Sequence, residues 1–279
     1  IEYLTRKKKE GRFPVYQTTE RPDRAAQAIL EGRVVLLTDN SPEALIFPAT
    51  LNSLFQTADD YYRNERIVTF LRLIRYVAAF LALALPGLYV AAATFHPQLL
   101  PGNLIRSMAE ARSGVPFPTA AEVLLMELSF ELLREAGLRM PGPAGNTIGI
   151  VGGLIVGQAA VSANLVSPIT VTVAALTALG SFSIPNEELS EVFRLWKYGI
   201  LLLGSCFGIL GVMLGCFLLL MLMAEQESYG IPWLYPYVGG NLNERADEKD
   251  SMFLAAARKR KRRPIFAKWG NRIRFRRKS

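Results

Sequence analysis

Residues 140–186, MPGPAGNTIGIVGGLIVGQAAVSANLVSPITVTVAALTALGSFSIPN, run for 47 positions without Asp, Glu, Lys, Arg or His. A helix on a soluble core has no use for so long a charge-free run. A bilayer does, because about 20 apolar residues span its hydrocarbon core. Gly, Pro and Asn interrupt the run throughout: Met140-Pro141-Gly142-Pro143 opens it, and Asn164 and Pro168 divide it. Broken helices at membrane depth persist only where protein or a watery cavity satisfies their backbone. The pattern predicts an α-helical integral membrane protein built around a pathway.

Working outward, two spans are expected at 147–163 and 166–184. An earlier one at 76–95 has Pro86 near its middle, and a last one covers 198–224. Arg63, Arg66, Arg72 and Arg75 crowd the start of the first span, which assigns that side to the cytoplasm. Four crossings would return the C-terminus to the same side. Between spans one and two, 119–137 is apolar but carries Glu127, Glu131 and Glu135 at i, i+4, i+8, on one helix face. It is expected to lie at the interface as an amphipathic helix, to cover another subunit, or to cross as a fifth span.

The first 66 residues read differently, as the end of an α/β soluble domain whose remainder is missing. Pro22–Leu30 has the composition of a short helix stopped by Gly32. Val34–Leu37 and Ala44–Phe47, joined through Asp39-Asn40-Ser41-Pro42, read as a β-hairpin. The intended division is therefore 1–66 soluble, 67–238 membrane and 239–279 basic tail. The net charge of +8 belongs to that tail: 251–279 holds twelve Lys or Arg and no acid, leaving the rest at about −4. Beside membrane spans such a tail points to anionic lipid rather than nucleic acid.

Gly145, Gly149, Gly153 and Gly157 recur every four residues, and Gly204, Gly208, Gly211 and Gly215 share a sector of the last span. Both series predict close helix packing. Pro86, Asn164 and Pro168 are the candidate hinges. Thr170, Thr177 and Ser181 share a face on the third span and could line a pore, or bond their own backbone. The glutamate stripe has three readings: an acidic collar around an ion path, the solvated face of an interfacial helix helped by Arg134, or salt bridges to Arg112 or Arg139. Cys206 and Cys216 lack metal-ligand company, and the single histidine, His96, sits at the end of a span. No catalytic arrangement, metal site or cofactor motif emerges, so an enzyme is not expected.

Val115-Pro116-Phe117-Pro118, the block Met126 to Gly137 and the block Ile150 to Val161 resemble the GerA spore germination proteins, the A subunits of nutrient germinant receptors. Thr19-Glu20-Arg21-Pro22-Asp23, Asp60-Tyr61-Tyr62, Thr94-Phe95-His96-Pro97 and Ile184-Pro185-Asn186 are similar too, so the likeness covers about 16–238. The resemblance implies a protein of the endospore inner membrane, with both termini on the spore-core side. It implies a homo-oligomeric ring forming a nutrient-gated cation channel, working with a transporter-like B subunit and a C-subunit lipoprotein. It brings Glu127, Glu131 and Glu135 with it as candidates for the ion path. Alternatives are the homologue associated with dipicolinic-acid release, and a transporter or scaffold subunit that does not conduct.

Overall fold

The computed structural model describes residues 13–139, 143–238, 250–255 and 266. Most of the expected tail, Met140 to Gly142, and the surroundings of Gly145 and Gly149 lie outside the described residues. The chain divides into two compact units, one of 1–77, 184–192 and 219–279, the other of 78–183 and 193–218.

In the first unit, helix α1 (Pro22–Glu31) starts on a proline, whose fixed φ suits the first helical position, and stops at Gly32. Gly32 adopts φ 92°, and its N–H returns to the Ala28 and Ile29 carbonyls, the left-handed termination expected of a glycine. The predicted hairpin is present: β2 (Val34–Leu36) pairs antiparallel with β3 (Ala44–Phe47), Val34 opposite Phe47. A third strand, β1 (Gln17–Thr19), adds to the other side of β3, giving the order β1–β3–β2. Helix α2 (Leu51–Phe55) is capped by Thr50 and leads into a 3-10 turn at Ala58–Tyr61.

The β4/β5 hairpin (Glu227–Ser228 with Ile231–Pro232) belongs to this same unit. Ser228 Oγ donates to the Val15 carbonyl at 2.8 Å, and the buried Trp233 donates from its indole nitrogen to the Pro14 carbonyl at 2.8 Å. Asp60 anchors the unit's charged centre. Arg72 Nε donates to its Oδ2 at 3.1 Å and Arg75 Nη2 to its Oδ1 at 2.9 Å. Burial pushes the Asp60 pKa up, but the Arg75 hydrogen bond and charge outweigh it and hold the carboxyl below the ordinary Asp range.

Helix α3 (Glu65–Thr94) is, among the described residues, the one helix long and apolar enough to cross a bilayer. Its 30 residues extend about 45 Å at 1.5 Å per residue, and the assigned helix runs through Pro86. In the second unit follow α4 (Gly102–Arg112), α5 (Thr119–Leu138), α6 (Pro143–Ser162) and α7 (Pro168–Phe182). The α6–α7 connection is a true reversal point. Asn164 takes φ 54°, the Leu165 amide returns to the Ala160 carbonyl, and Ser167 caps α7 by accepting the Thr170 amide.

The expected last span at 198–224 is corrected. It is two helices, α8 (Glu187–Phe207) and α9 (Ile209–Glu225), broken at Gly208. Gly208 has φ 63°, a conformation an L side chain rarely adopts. The chain then folds back on itself. A Cβ on Gly211 would lie 2.0 Å from the Leu203 carbonyl oxygen, and one on Gly215 would lie 2.9 Å from Ile200 Cγ1. The glycine sector of one imagined helix is instead the seam between two. Apolar α7 and α9 have 15 and 17 residues, fewer than the about 20 that span a bilayer's hydrocarbon core.

Candidate functional site

Helix α5 places its carboxylates in graded surroundings. Glu122, in the first turn, has no exposed surface. Its Oε1 accepts from Arg112 Nε at 3.1 Å, while Oε2 accepts from the Ser167 amide and from Thr170 Oγ1, each at 3.0 Å. Because Thr170 spends its hydroxyl hydrogen on Glu122, it receives from Ser167 Oγ at 3.0 Å and Tyr89 Oη at 3.4 Å. One buried carboxylate thus gathers α3, α4, α5 and the start of α7.

One and a half turns further, Glu127 is 2% exposed and Lys197 of α8 donates to its Oε2 at 2.6 Å. Next, Glu131 accepts from Arg194 Nη1. Two carboxylates four apart on α5 therefore meet two cations three apart on α8, forming a ladder of two rungs. Beyond it Arg134 donates to Ser181 Oγ at 2.8 Å and lies over the Phe182 ring. Glu135 is exposed and pairs with Arg139 at 2.7 Å. Burial of opposite charges is costly to assemble, and removing one member alone is costlier still.

The stripe is therefore not one uniform face: Glu127 is buried, Glu131 half-buried and Glu135 solvated. Thr170 joins Glu122, whereas Thr177 donates to its own helix's Val173 carbonyl at 2.9 Å. A cavity of about 1110 Å³ is walled by α5, α6 and α7, with Glu127, Glu131, Arg134 and Lys197 at its polar positions. Pro86 lies within α3, whereas Asn164 and Pro168 belong to the α6–α7 turn. Gly153 and Gly157 pack on Phe130 and Val171. Among the described residues no three His, Cys, Asp or Glu side chains come together to hold a metal.

Sequence reasoning missed Glu122, Arg194 and Lys197. The available signal for the last two was their position: cations three apart at the head of an apolar helix, spaced to meet a carboxylate pair elsewhere. Glu122 offered only the ordinary look of an acid in a helix's first turn.

The profile of the Bacillus/Clostridium GerA spore germination protein matches residues 1–266. The chain belongs to the GerA family. Its relatives include the uncharacterized membrane protein YfkQ of Bacillus subtilis strain 168, 43% identical over 88% of this chain and 47% of the relative. Spore germination protein GerLA of Bacillus cereus is 41% identical over 85% of this chain and 48% of the relative. Spore germination protein A1 of Bacillus subtilis strain 168 is 41% identical over 85% of this chain and 49% of the relative. This GerA-family chain thus spans about half the length of the curated relatives it matches. No solved structure matches it.

Proposed function

We propose that this chain is the membrane-embedded part of a germinant-receptor A subunit, and that copies of it form a nutrient-gated cation channel. The observation that carries the reading is the α5–α8 ladder, Glu127–Lys197 and Glu131–Arg194, set among apolar helices beside a large cavity. Ionisable groups at membrane depth mark ion pathways, partners or aqueous cavities. The apolar surface of α8 and α9 supports membrane embedding. Phe207, Leu210, Met213 and Phe217 are each more than 60% exposed, a surface that suits lipid and not water.

On this reading α5 crosses the bilayer with its carboxylates turned to partners and to the path. Both termini face the spore core, and the basic tail contacts anionic lipid of the inner membrane. A transporter-like B subunit binds the nutrient and, with a lipoprotein C subunit, biases two arrangements of the ring. The chain itself carries out no catalysis.

The test is monovalent-cation release from spores carrying Glu131→Gln, with protein abundance measured alongside. Glu131 is the half-buried rung, so its amide is the milder change. Altered release rate or ion selectivity at normal abundance is expected. Unchanged release at normal abundance would move conduction elsewhere in the complex.

A further inference from the structure

Within the first unit, the short segment Asp250–Leu254 is held by side chains rather than by a sheet. Arg72, 1% exposed on the early turns of α3, donates from Nη1 to Asp250 Oδ1 at 3.1 Å and to the Ser251 carbonyl at 2.7 Å. The Tyr61 hydroxyl donates to Asp250 Oδ2 at 3.1 Å. Asn52 Nδ2 and Gln56 Nε2 both donate to the Asp250 carbonyl, at 3.0 and 2.7 Å. At the other end Thr69 Oγ1 accepts the Leu254 amide at 3.2 Å, and the Leu254 side chain is buried. Among the described residues its bridge pairing is internal, Asp250 opposite Leu254.

Side-chain donors closing on a carboxylate and on successive peptide carbonyls, with a pocket for one apolar side chain, are how proteins capture short peptides. The cradle also has supports of its own. Arg72 is fixed by Asp60, Arg75 by Asp60 and by the Phe55 carbonyl at 3.1 Å, and Asp60 by Thr57 Oγ1 at 2.9 Å. Burial and the Asp250 charge push the Tyr61 pKa up, which keeps its phenol a donor.

We propose that this cradle is a binding site for a short acidic peptide of the form Asp-x-x-x-Leu, filled here in cis by residues 250–254 and open to a competing segment of that form. The two ends supply the recognition. Arg72 and Tyr61 read the Asp carboxylate from two directions, and at the other end the Leu254 side chain is buried. Phe253 between them is 63% exposed, so that position carries little selectivity. The strap belongs to the same chain, so an incoming peptide must compete with a covalently attached ligand. None of this depends on the channel reading.

The test uses the full chain in nanodiscs and a fluorescein-labelled peptide, Lys-Asp-Ser-Met-Phe-Leu-Ala. With the strap disabled by Asp250→Ala and Leu254→Ala together, the peptide should bind saturably, while the same peptide with Ala for Asp should not. The native chain should show an apparent affinity at least about tenfold weaker, because the tethered strap competes. A second measurement needs no emptied site. Ser251 is 6% exposed, so Ser251→Cys in the otherwise native strap reports release by its maleimide labelling rate. The rate is read by mass spectrometry at that residue, apart from the exposed Cys206. Excess peptide should raise the rate several-fold, and a scrambled peptide should not. A labelling rate indifferent to peptide, or no saturable binding to a folded emptied chain, overturns the proposal and makes the strap a fixed part of the fold.

Discussion

Replacing Glu122 tests whether one carboxylate fixes the turn between α6 and α7. Glu122→Gln preserves volume and one acceptor oxygen. If that oxygen takes the place of Oε2, the Ser167 amide and Thr170 hydroxyl keep their partner, but the new amide N–H₂ faces Arg112, donor against donor. The Arg112 side chain is 27% exposed and can turn to water, so the loss is one charge-assisted bond partly repaid by hydration, about 1–2 kcal/mol. Glu122→Ala is different. It strands the Ser167 amide, in a residue with no exposed surface, and leaves a cavity, while the Thr170 hydroxyl can turn to Ser167 Oγ or Tyr89 Oη. One unsatisfied amide at about 1–3 kcal/mol, together with the lost Arg112 bond and the cavity, puts this variant near about 4 kcal/mol. At about 2–4 °C per kcal/mol, thermal unfolding in detergent should fall roughly 10 °C for Ala and only a few degrees for Gln. Hydrogen exchange at the Ser167 and Thr170 amides should accelerate in the Ala variant before distant helices respond. Equal shifts for Gln and Ala, with exchange at Ser167 unchanged, would refute the reasoning and show that the turn is held by its own cap.

Lys197→Met leaves Glu127 buried without its cation and should destabilise the chain by about 3–5 kcal/mol, whereas Lys197→Met with Glu127→Leu should recover most of that; denaturation of both variants in one detergent decides it. The first unit should have an acid limb set by Asp60. Its folded pKa lies below the unfolded value of about 3.9, so its stabilisation is present above that pH and drains away as pH falls through the folded value. Asp60→Asn should flatten the pH dependence of stability below about pH 4, followed by emission of the buried Trp233, and an unchanged slope would count against the Arg75 pairing as its source.

What could be read from residues alone was what is decided locally. Pro22 and Gly32 bracket α1 because each sets its own backbone angle, and the β2–β3 hairpin follows from two apolar runs about a turn-forming stretch. Strand β1 escaped because Gln17-Thr18-Thr19 has neither length nor apolar alternation and becomes a strand only through β3. The last span escaped for another reason. Tyr198 to Ala224 is uncharged throughout and its glycines recur at a spacing that also suits helix packing, so composition shows no reversal; only the φ of Gly208 and the approach of Gly211 to Leu203 reveal it. The acidic stripe was visible at i, i+4, i+8, but its environment was not, since Lys197 and Arg194 lie about 60–70 residues away in the chain.

That environment changes what the stripe can do. A bare ring of carboxylates would draw cations at all times, and its selectivity would be a fixed property of the pore. Glu127 with Lys197 at 2.6 Å presents almost no net charge to a passing ion, and Glu131 with Arg194 is compensated in the same way. On the channel reading, the charge that favours cations appears only when α5 and α8 separate enough to part the rungs. Attraction for the ion and opening of the path then become one event, because the motion that widens the space also uncovers the carboxylates. The cost of parting buried pairs falls as water enters and screens each charge. On that reading, the pairs that hold the closed state together are the ones that become the selectivity elements when the path opens.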